Sequence, residues 1–172
     1  DLSNKILNAS IKKNFLIKLN ERYLEKAINI LKELNKEKVD LIDYCDFTII
    51  KTKKNKKFPI HDDTFNKLLS GVIYLYPEKN AGTIFYNTKN GKDKNVIEWK
   101  INRAVFFSRK ERETWHSYEA DDANDRITLI FNLMTKKENF KKVLEIEKKN
   151  YLIGKLRYKV NHYLYRFFDY TI

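Results

Sequence analysis

The sequence predicts a mainly β domain, an antiparallel sandwich or barrel, with helices on either side of it. The chain of 172 residues suits one domain. Short β-prone segments follow one another at close spacing through its middle, and helical periodicity is confined to the two flanks. We therefore expect a single domain over residues 1–172, with helical support at 1–44, a β core at 45–134 and a helical segment at 135–172.

The N-terminal flank contains one clear amphipathic pattern. Between Glu21 and Lys38, aliphatic residues recur at helical spacing with Lys and Glu between them, which predicts a helix that covers one face of a sheet. The first twenty residues fit either a strand or a helical turn. Helical spacing returns over Glu138–Tyr151, and the aromatic tail Lys155–Tyr170 is expected to pack on the body rather than to stack on bases.

The central segment has the short, β-prone runs of strands. Phe47–Thr52 and Lys57–His61 are predicted strands, and the polar turn between them predicts that they pair as a hairpin. Further β-prone runs, several of them separated by turn residues, are Gly71–Tyr76, Gly82–Tyr86, Val96–Ile101, Ala104–Phe107, Thr114–Tyr118 and Arg126–Leu133. Strands at such close spacing favour antiparallel pairing over βαβ units.

Composition narrows the functional classes. The single cysteine, Cys45, excludes a disulfide framework and a thiolate metal cluster within the chain, and it is expected to be a buried or unreactive thiol. No apolar stretch has the length of a membrane span, and no signal-peptide pattern is present, so a cytoplasmic protein without membrane contact is expected. The net charge of +12 is compatible with nucleic-acid contact, but the lysines are spread along the chain without a recognition motif. Nucleic acid is therefore the less favoured partner.

Two histidines and one aspartate form a candidate metal site. His61 and Asp63 are separated by one residue, and residues i and i+2 of a strand project from the same face. An imidazole and a carboxylate can thus reach one metal ion, whereas Asp62 points to the opposite face. His116 follows in a separate β-prone run. The remaining histidine, His162, has no carboxylate at ligand spacing and is expected to be structural.

Arg126 begins the most regular predicted strand, and alternation places it on one face with Thr128 and Ile130. An arginine that faces an apolar sheet is costly unless an anion pairs with it. Two histidines and one carboxylate make up the facial triad of non-haem Fe(II) oxygenases, which leaves coordination positions open. An inward arginine would then bind the far carboxylate of a dicarboxylate co-substrate. The alternative is a surface ion pair of Arg126 with Asp122 or Asp125.

The order of these parts resembles the 2-oxoglutarate/Fe(II) oxygenases, and within them the prolyl 4-hydroxylase-like branch. The matching parts, over about residues 47–134, are His61-x-Asp63, Tyr74-Leu75, the turn Ala81-Gly82, the strand Asn102–Phe107, Trp115-His116 and Arg126. The resemblance implies a double-stranded β-helix core of the jelly-roll or cupin-like kind. It also implies Fe(II) bound by His61, Asp63 and His116, and 2-oxoglutarate held by Arg126 with Thr128 beside it. O2 would be the second co-substrate, and ascorbate an optional cofactor.

In that family, oxidation of the substrate is coupled to conversion of 2-oxoglutarate to succinate and CO2. The resemblance therefore implies hydroxylation of a prolyl or other residue in a peptide or protein, or of a free amino acid. One feature departs from the pattern, because relatives often carry a tyrosine that contacts 2-oxoglutarate on the strand before His-x-Asp. This chain has Ile49, Ile50 and Thr52 there, and Tyr74 and Tyr76 are the candidates to replace that tyrosine.

Two other functions remain open. An AlkB-like oxygenase of nucleic-acid bases fits the basic charge, but that family has a second arginine where this chain has Asn132, and base flipping needs a recognition surface that the sequence does not reveal. A non-catalytic jelly roll that binds a ligand or partner is the other, although a binding module has no need of three metal ligands and an anion clamp. The lysine-rich run Lys51–Lys57 and the acidic run Glu119–Asp122 each form either a solvated turn or part of the site entrance.

Overall fold

The computed structural model describes residues 13–156, of which eight segments are strands. They are β1 (Tyr44–Thr52), β2 (Lys57–His61), β3 (Lys67–Tyr76), β4 (Thr83–Tyr86), β5 (Asn95–Val96), β6 (Ala104–Ser108), β7 (Trp115–Glu119) and β8 (Arg126–Met134). The first sheet has the order β1-β8-β3-β6 and the second β2-β7-β4-β5. All pairs are antiparallel, and consecutive strands change sheet at every step except between β4 and β5. This alternation defines a double-stranded β-helix, or jelly roll, which confirms the predicted fold class.

The predicted hairpin of β1 with β2 is wrong, because the two strands lie in different sheets. β1 instead pairs with β8 along its whole length, from Tyr44 opposite Met134 to Thr52 opposite Arg126. Both of these strands have nine residues, whereas β2 has five, so the distant partner offers β1 the longer ladder. The polar turn at residues 53–56 reverses the chain and carries it from one sheet to the other.

The predicted strand Val96–Ile101 is shortened to β5, because the chain then folds inward at Trp99. The indole N–H of Trp99 donates to the carbonyl of Pro77 at 2.7 Å, and its ring stacks on Tyr74 with centroids 4.4 Å apart. Gly82 allows this close approach, since a Cβ there would lie 1.7 Å from the carbonyl oxygen of Ile97. The other predicted strands are found within a few residues of their expected ends.

Helices cover the first sheet on its outer side. The predicted N-terminal helix is confirmed as α1 (Lys13–Asn35), followed by a 3-10 helix (Lys36–Leu41). On the C-terminal side, a 3-10 turn (Lys137–Asn139) leads into α2 (Phe140–Ile146), and residues 151–156 are again helical, so the predicted helix Glu138–Tyr151 is interrupted. The main hydrophobic core joins both flanks to the sheet through Ala27, Leu31, Leu69, Phe131, Leu133, Val143 and Leu144.

Parts of the predicted organisation lie outside the described residues. They are the first twelve residues, the aromatic tail from residue 157 onward and His162 within that tail. Within residues 13–156, no helix combines the length and apolar character that crossing a membrane requires.

A buried ion network joins the two helical flanks to the loop that follows β6. The Glu147 carboxylate accepts hydrogen bonds from Lys38 Nζ at 2.7 Å, from Arg109 Nη1 at 2.8 Å and from the backbone N–H of Glu111 at 2.8 Å. Lys38, Arg109 and Glu147 are all at most 2% exposed. Burial lowers the pKa of Lys38, and the charge of Glu147 opposes this shift. Arg109 also binds the carboxylate of Glu111, whereas Glu147 is the carboxylate that pairs with Lys38 among the described residues.

We expect Glu147→Gln to lower the free energy of unfolding by about 3–5 kcal/mol, because it leaves the buried Lys38 without a carboxylate and Arg109 with Glu111 alone. Urea denaturation followed by far-UV circular dichroism measures this change. The control is Glu145→Gln, which removes an exposed carboxylate 3.7 Å from Lys141 and should change stability by less than about 1 kcal/mol. Equal losses in the two variants would show that the network does not carry this stability.

Candidate metal centre

The three predicted metal ligands come together at one end of the second sheet. Each of the three residues, His61, Asp63 and His116, offers one ligand atom. These three atoms all lie within 4.8 Å of one another. His61 ends β2 and stands opposite His116 on β7, and Asp63 follows two residues after His61. Cross-strand pairing thus places the two imidazoles side by side, with ring centroids 4.2 Å apart.

Backbone carbonyls orient both imidazoles. His61 Nδ1 lies 3.0 Å from the carbonyl oxygen of Pro59, and His116 Nδ1 lies 2.9 Å from that of Thr114. Because a carbonyl can only accept, each Nδ1 carries the hydrogen and each Nε2 keeps its lone pair free for a metal. Burial, assisted by the neighbouring His116, lowers the pKa of His61 to about 4, so its ring is neutral at pH 7.

Hydrogen bonds fix the Asp63 carboxylate at the same point. Its Oδ1 accepts from Lys67 Nζ at 2.7 Å, and its Oδ2 accepts from Ser70 Oγ at 2.5 Å. Burial opposes ionisation of this carboxyl. Lys67, together with His116 and His61, outweighs burial and holds the pKa of Asp63 below its usual range. Asp62 turns away, as predicted, and accepts from the backbone N–H of Arg112 at 2.8 Å.

A cavity of about 160 Å³ extends from the triad between the two sheets. Arg126, Thr128 and Ile130 line it from β8, as the alternation of that strand predicts, and Asn132 continues the same face. The side chains from the second sheet that share this cavity include Phe58, His61, Thr83, His116 and Tyr118. One enclosed space therefore contains both the candidate metal ligands and the predicted anion clamp.

Among residues 13–156, Arg126 is buried without an anionic partner. It is 2% exposed, and its Nε and Nη1 atoms have no hydrogen-bond partner in the described part of the chain. Aromatic rings surround the guanidinium instead, with Tyr118 at 4.5 Å and Trp99 at 5.2 Å from its carbon to the ring centroid. Burial lowers the pKa of Arg126. The alternative surface ion pair is not formed with Asp125, which binds Lys51 at 2.9 Å.

Sequence reasoning missed Tyr118 and left the choice between two other tyrosines open. Tyr118 lies two residues after His116 on β7, so the same alternation that paired His61 with Asp63 could have found it. Its hydroxyl is hydrogen-bonded to Thr52, and burial raises its pKa. Tyr74 is fully buried with its hydroxyl donating to Thr83 at 2.9 Å, whereas Tyr76 is 52% exposed. The ring of Tyr118 lies nearer to the guanidinium carbon of Arg126 than that of Tyr74, with centroids at 4.5 and 6.0 Å.

The other residues singled out in the sequence lie away from the triad. Cys45 lines a separate groove beside α1, and burial raises the pKa of its thiol to about 11. The lysine-rich turn and the acidic loop contact each other, through the backbone N–H of Asn55 on the carbonyl of Asp121 at 2.9 Å and through the ion pair of Lys57 with Glu119 at 2.8 Å.

Comparison with known proteins finds similarity at the level of structure alone. No family model and no curated protein matches the sequence. A prolyl-4-hydroxylase from Pseudomonas putida aligns with 14% identity over 56% of this chain and 54% of its own, with a TM-score of 0.45. A viral collagen prolyl hydroxylase from Paramecium bursaria Chlorella virus-1 aligns with 17% identity over 67% and 70%, with a TM-score of 0.44. A cupin 2 conserved barrel domain protein from Rhodopseudomonas palustris aligns with 10% identity over 54% of each chain, with a TM-score of 0.40. The chain thus spans about half the length of the first and third of these proteins, and such similarity assigns no activity.

We expect Co(II), used as an air-stable divalent probe, to stabilise the protein through the triad. At a hundredfold excess over its dissociation constant, a ligand adds about 2.7 kcal/mol, which raises the melting temperature by roughly 5–10 °C in a chain of this size. Asp63→Asn should abolish this shift, because it removes the anionic ligand. The matched control is Asp62→Asn at the neighbouring position, which should keep the shift. A Co(II)-dependent shift that survives in Asp63→Asn would exclude this carboxylate as a ligand.

Proposed function

We propose that the protein is an Fe(II)- and 2-oxoglutarate-dependent oxygenase. It would hydroxylate a prolyl or other amino-acid residue, or a free amino acid, with succinate and CO2 as co-products. The observation that carries the proposal is the placement of Arg126, a buried guanidinium with two unpartnered nitrogens, in the same cavity as His61, Asp63 and His116.

The donor set fits Fe(II). Two neutral imidazole nitrogens and one carboxylate oxygen are the ligands of the non-haem Fe(II) oxygenases, and three protein ligands leave coordination positions for a co-substrate and O2. Bound iron would supply the activation of O2 and the oxidising power of the reaction. The carbonyls of Pro59 and Thr114 hold the imidazoles in the tautomer that a metal needs, and Lys67 and Ser70 hold the carboxylate in place.

Arg126 fits the far carboxylate of 2-oxoglutarate. A buried arginine without an anion is destabilising, whereas a carboxylate can accept two parallel hydrogen bonds from its planar fork. Among the described residues, Nε and Nη1 are both unpartnered and lie on different edges of the guanidinium, so each edge retains a free donor for a carboxylate. Thr128 lies two residues farther along the same face of β8 and lines the same cavity, and the ring of Tyr118 lies 4.5 Å from the guanidinium carbon of Arg126.

The walls of the cavity would exclude water from the reacting atoms. Phe58, Phe107 and Val72 line it, and Phe107 lies edge-to-face against His116 with centroids 4.8 Å apart. An apolar wall beside a metal ligand strengthens the electrostatic interactions within the site. A module that only binds a ligand would have no need for this combination of open triad, anion clamp and dry cavity.

The test is anaerobic addition of Fe(II) and 2-oxoglutarate, followed by the visible metal-to-ligand charge-transfer band of the chelate. Arg126→Met should weaken 2-oxoglutarate binding by about 30-fold or more, which corresponds to about 2 kcal/mol for a lost buried ion pair. The same variant should cost little stability in the ligand-free protein, because it replaces an unpaired buried charge by an apolar side chain of similar length.

The control is Arg103→Met, which removes a half-buried arginine that pairs with Glu98 at 3.4 Å on the surface. It should leave the band and the 2-oxoglutarate affinity unchanged. Absence of the band in folded, iron-containing wild-type protein would contradict the proposal. A band whose 2-oxoglutarate dependence is the same in Arg126→Met and wild type would instead exclude Arg126 as the clamp.

A further inference from the structure

The cavity has a second cation, Lys67, at the end opposite Arg126. In the pairing of β3 with β8, Lys67 stands opposite Met134 and Ser70 opposite Asn132, whereas Arg126 begins β8. Six residues along a strand span about 20 Å between the backbone levels of Arg126 and Asn132. Asp63 bonds to both Lys67 and Ser70, so the metal ligands lie toward the Lys67 end. A dicarboxylate held between Arg126 and the metal leaves this end for another ligand.

The charge balance indicates what that ligand carries. The ionised side chains that line the cavity are Asp63, Lys67 and Arg126, a formal charge of +1. A divalent metal together with a dianionic co-substrate leaves this excess unchanged. Arg126 and the metal would then be matched by the co-substrate and Asp63, and the uncompensated charge falls on Lys67. Because like charges repel strongly in a poorly solvated site, a negative group on the primary substrate would be stabilising there.

Lys67 has the capacity to bind such a group while it keeps its bond to Asp63. Its ammonium has three N–H donors, and the structure shows Asp63 Oδ1 as acceptor for one of them. The Lys67 side chain is 29% exposed, so it reaches both the buried carboxylate and the accessible part of the cavity.

Asn132 supplies a second, independent indication of a ligand. It is 2% exposed and lines the same cavity, and its side-chain oxygen has no hydrogen-bond partner among residues 13–156. A buried acceptor without a donor is unfavourable, and such atoms in native structures call for a missing partner. Asn132 lies beside Ser70 in the β3–β8 pairing, and thus near Asp63 and Lys67. The missing partner is a donor at the Lys67 end.

We propose that Lys67 and Asn132 form the recognition subsite for a free α-amino acid. Lys67 binds its carboxylate, and the Asn132 side-chain oxygen accepts from its amino or imino group. An α-amino acid carries both groups on one carbon, so it matches the two features together. As a zwitterion it leaves the net charge of the cavity unchanged, and the stabilisation is local, between its carboxylate and Lys67. The inference rests on the proposed function and narrows its substrate from a residue within a chain to a free amino acid.

The experiment titrates the anaerobic Fe(II)–2-oxoglutarate complex of the whole chain with each proteinogenic L-amino acid and with its carboxamide. At least one amino acid should perturb the charge-transfer band, and its carboxamide should bind about tenfold more weakly or worse, because it lacks the charge that Lys67 binds. Lys67→Gln should weaken binding of the same amino acid by about tenfold or more, and by more than it weakens 2-oxoglutarate, which Lys67 affects only through Asp63. Lys67→Arg should recover part of the loss, and the exposed-lysine control Lys94→Gln should behave as wild type.

Three results would overturn the subsite: no amino acid binds, amino acid and carboxamide bind equally, or Lys67→Gln weakens 2-oxoglutarate as much as it weakens the amino acid. Thermal melting of Lys67→Gln checks that the variant is folded. The outcome is separable from that of the proposed function, which the band and its response to Arg126→Met report before any amino acid is added. Calorimetric titration of Zn(II)-loaded wild type and Lys67→Gln with the same amino acids and carboxamides needs no band. It therefore decides the role of Lys67 even if the band is absent.

Discussion

The hydrogen bond from Arg109 Nε to the carbonyl of Asp63, at 2.9 Å, is the interaction on which the geometry of the site depends. Asp63 lies just beyond β2, where no sheet ladder holds the backbone. Arg109 supplies that restraint, and Glu147 in turn fixes Arg109 from the end of α2. The helical flanks therefore do more than cover a sheet, because their buried charges set the position of a candidate metal ligand.

The strand order explains why the site can form at all. Since successive strands change sheet, His61 on β2 and Arg126 on β8 come from opposite walls of one space, although they are far apart in sequence. Cross-strand pairing sets His61 against His116, and alternation along β8 directs Arg126 and Asn132 inward together. Two local rules, pairing and alternation, are enough to place side chains from both sheets around one cavity.

The alternation of successive side chains between the two faces of a strand predicted most strands. It also predicted that His61, Asp63 and Arg126 point inward, because this depends only on local sequence. The partner of β1 could not be predicted in the same way, since a polar turn favours a hairpin and only the long apolar β8 explains the actual pairing. The sequence singled out Asn132 only as the residue at a position where AlkB-like oxygenases have an arginine. It gave no indication that Lys67 belongs to the site. Their roles depend on contacts across β3 and β8 and with Asp63, which no local pattern encodes.

The cavity is more positive than its own side chains can balance, and this excess links ligand binding to stability. Arg126 is tolerated in the ligand-free fold by the rings of Tyr118 and Trp99, which attract a cation but do not replace an anion. Lys67 is tolerated because Asp63 accepts from it, yet Asp63 is also a candidate metal ligand. A metal ion that binds Asp63 adds positive charge to the cavity, and an anionic ligand compensates that charge. Bound metal should therefore raise the affinity for anions, and a bound anion should raise the affinity for the metal by the same factor, because each reduces the electrostatic repulsion that opposes the other.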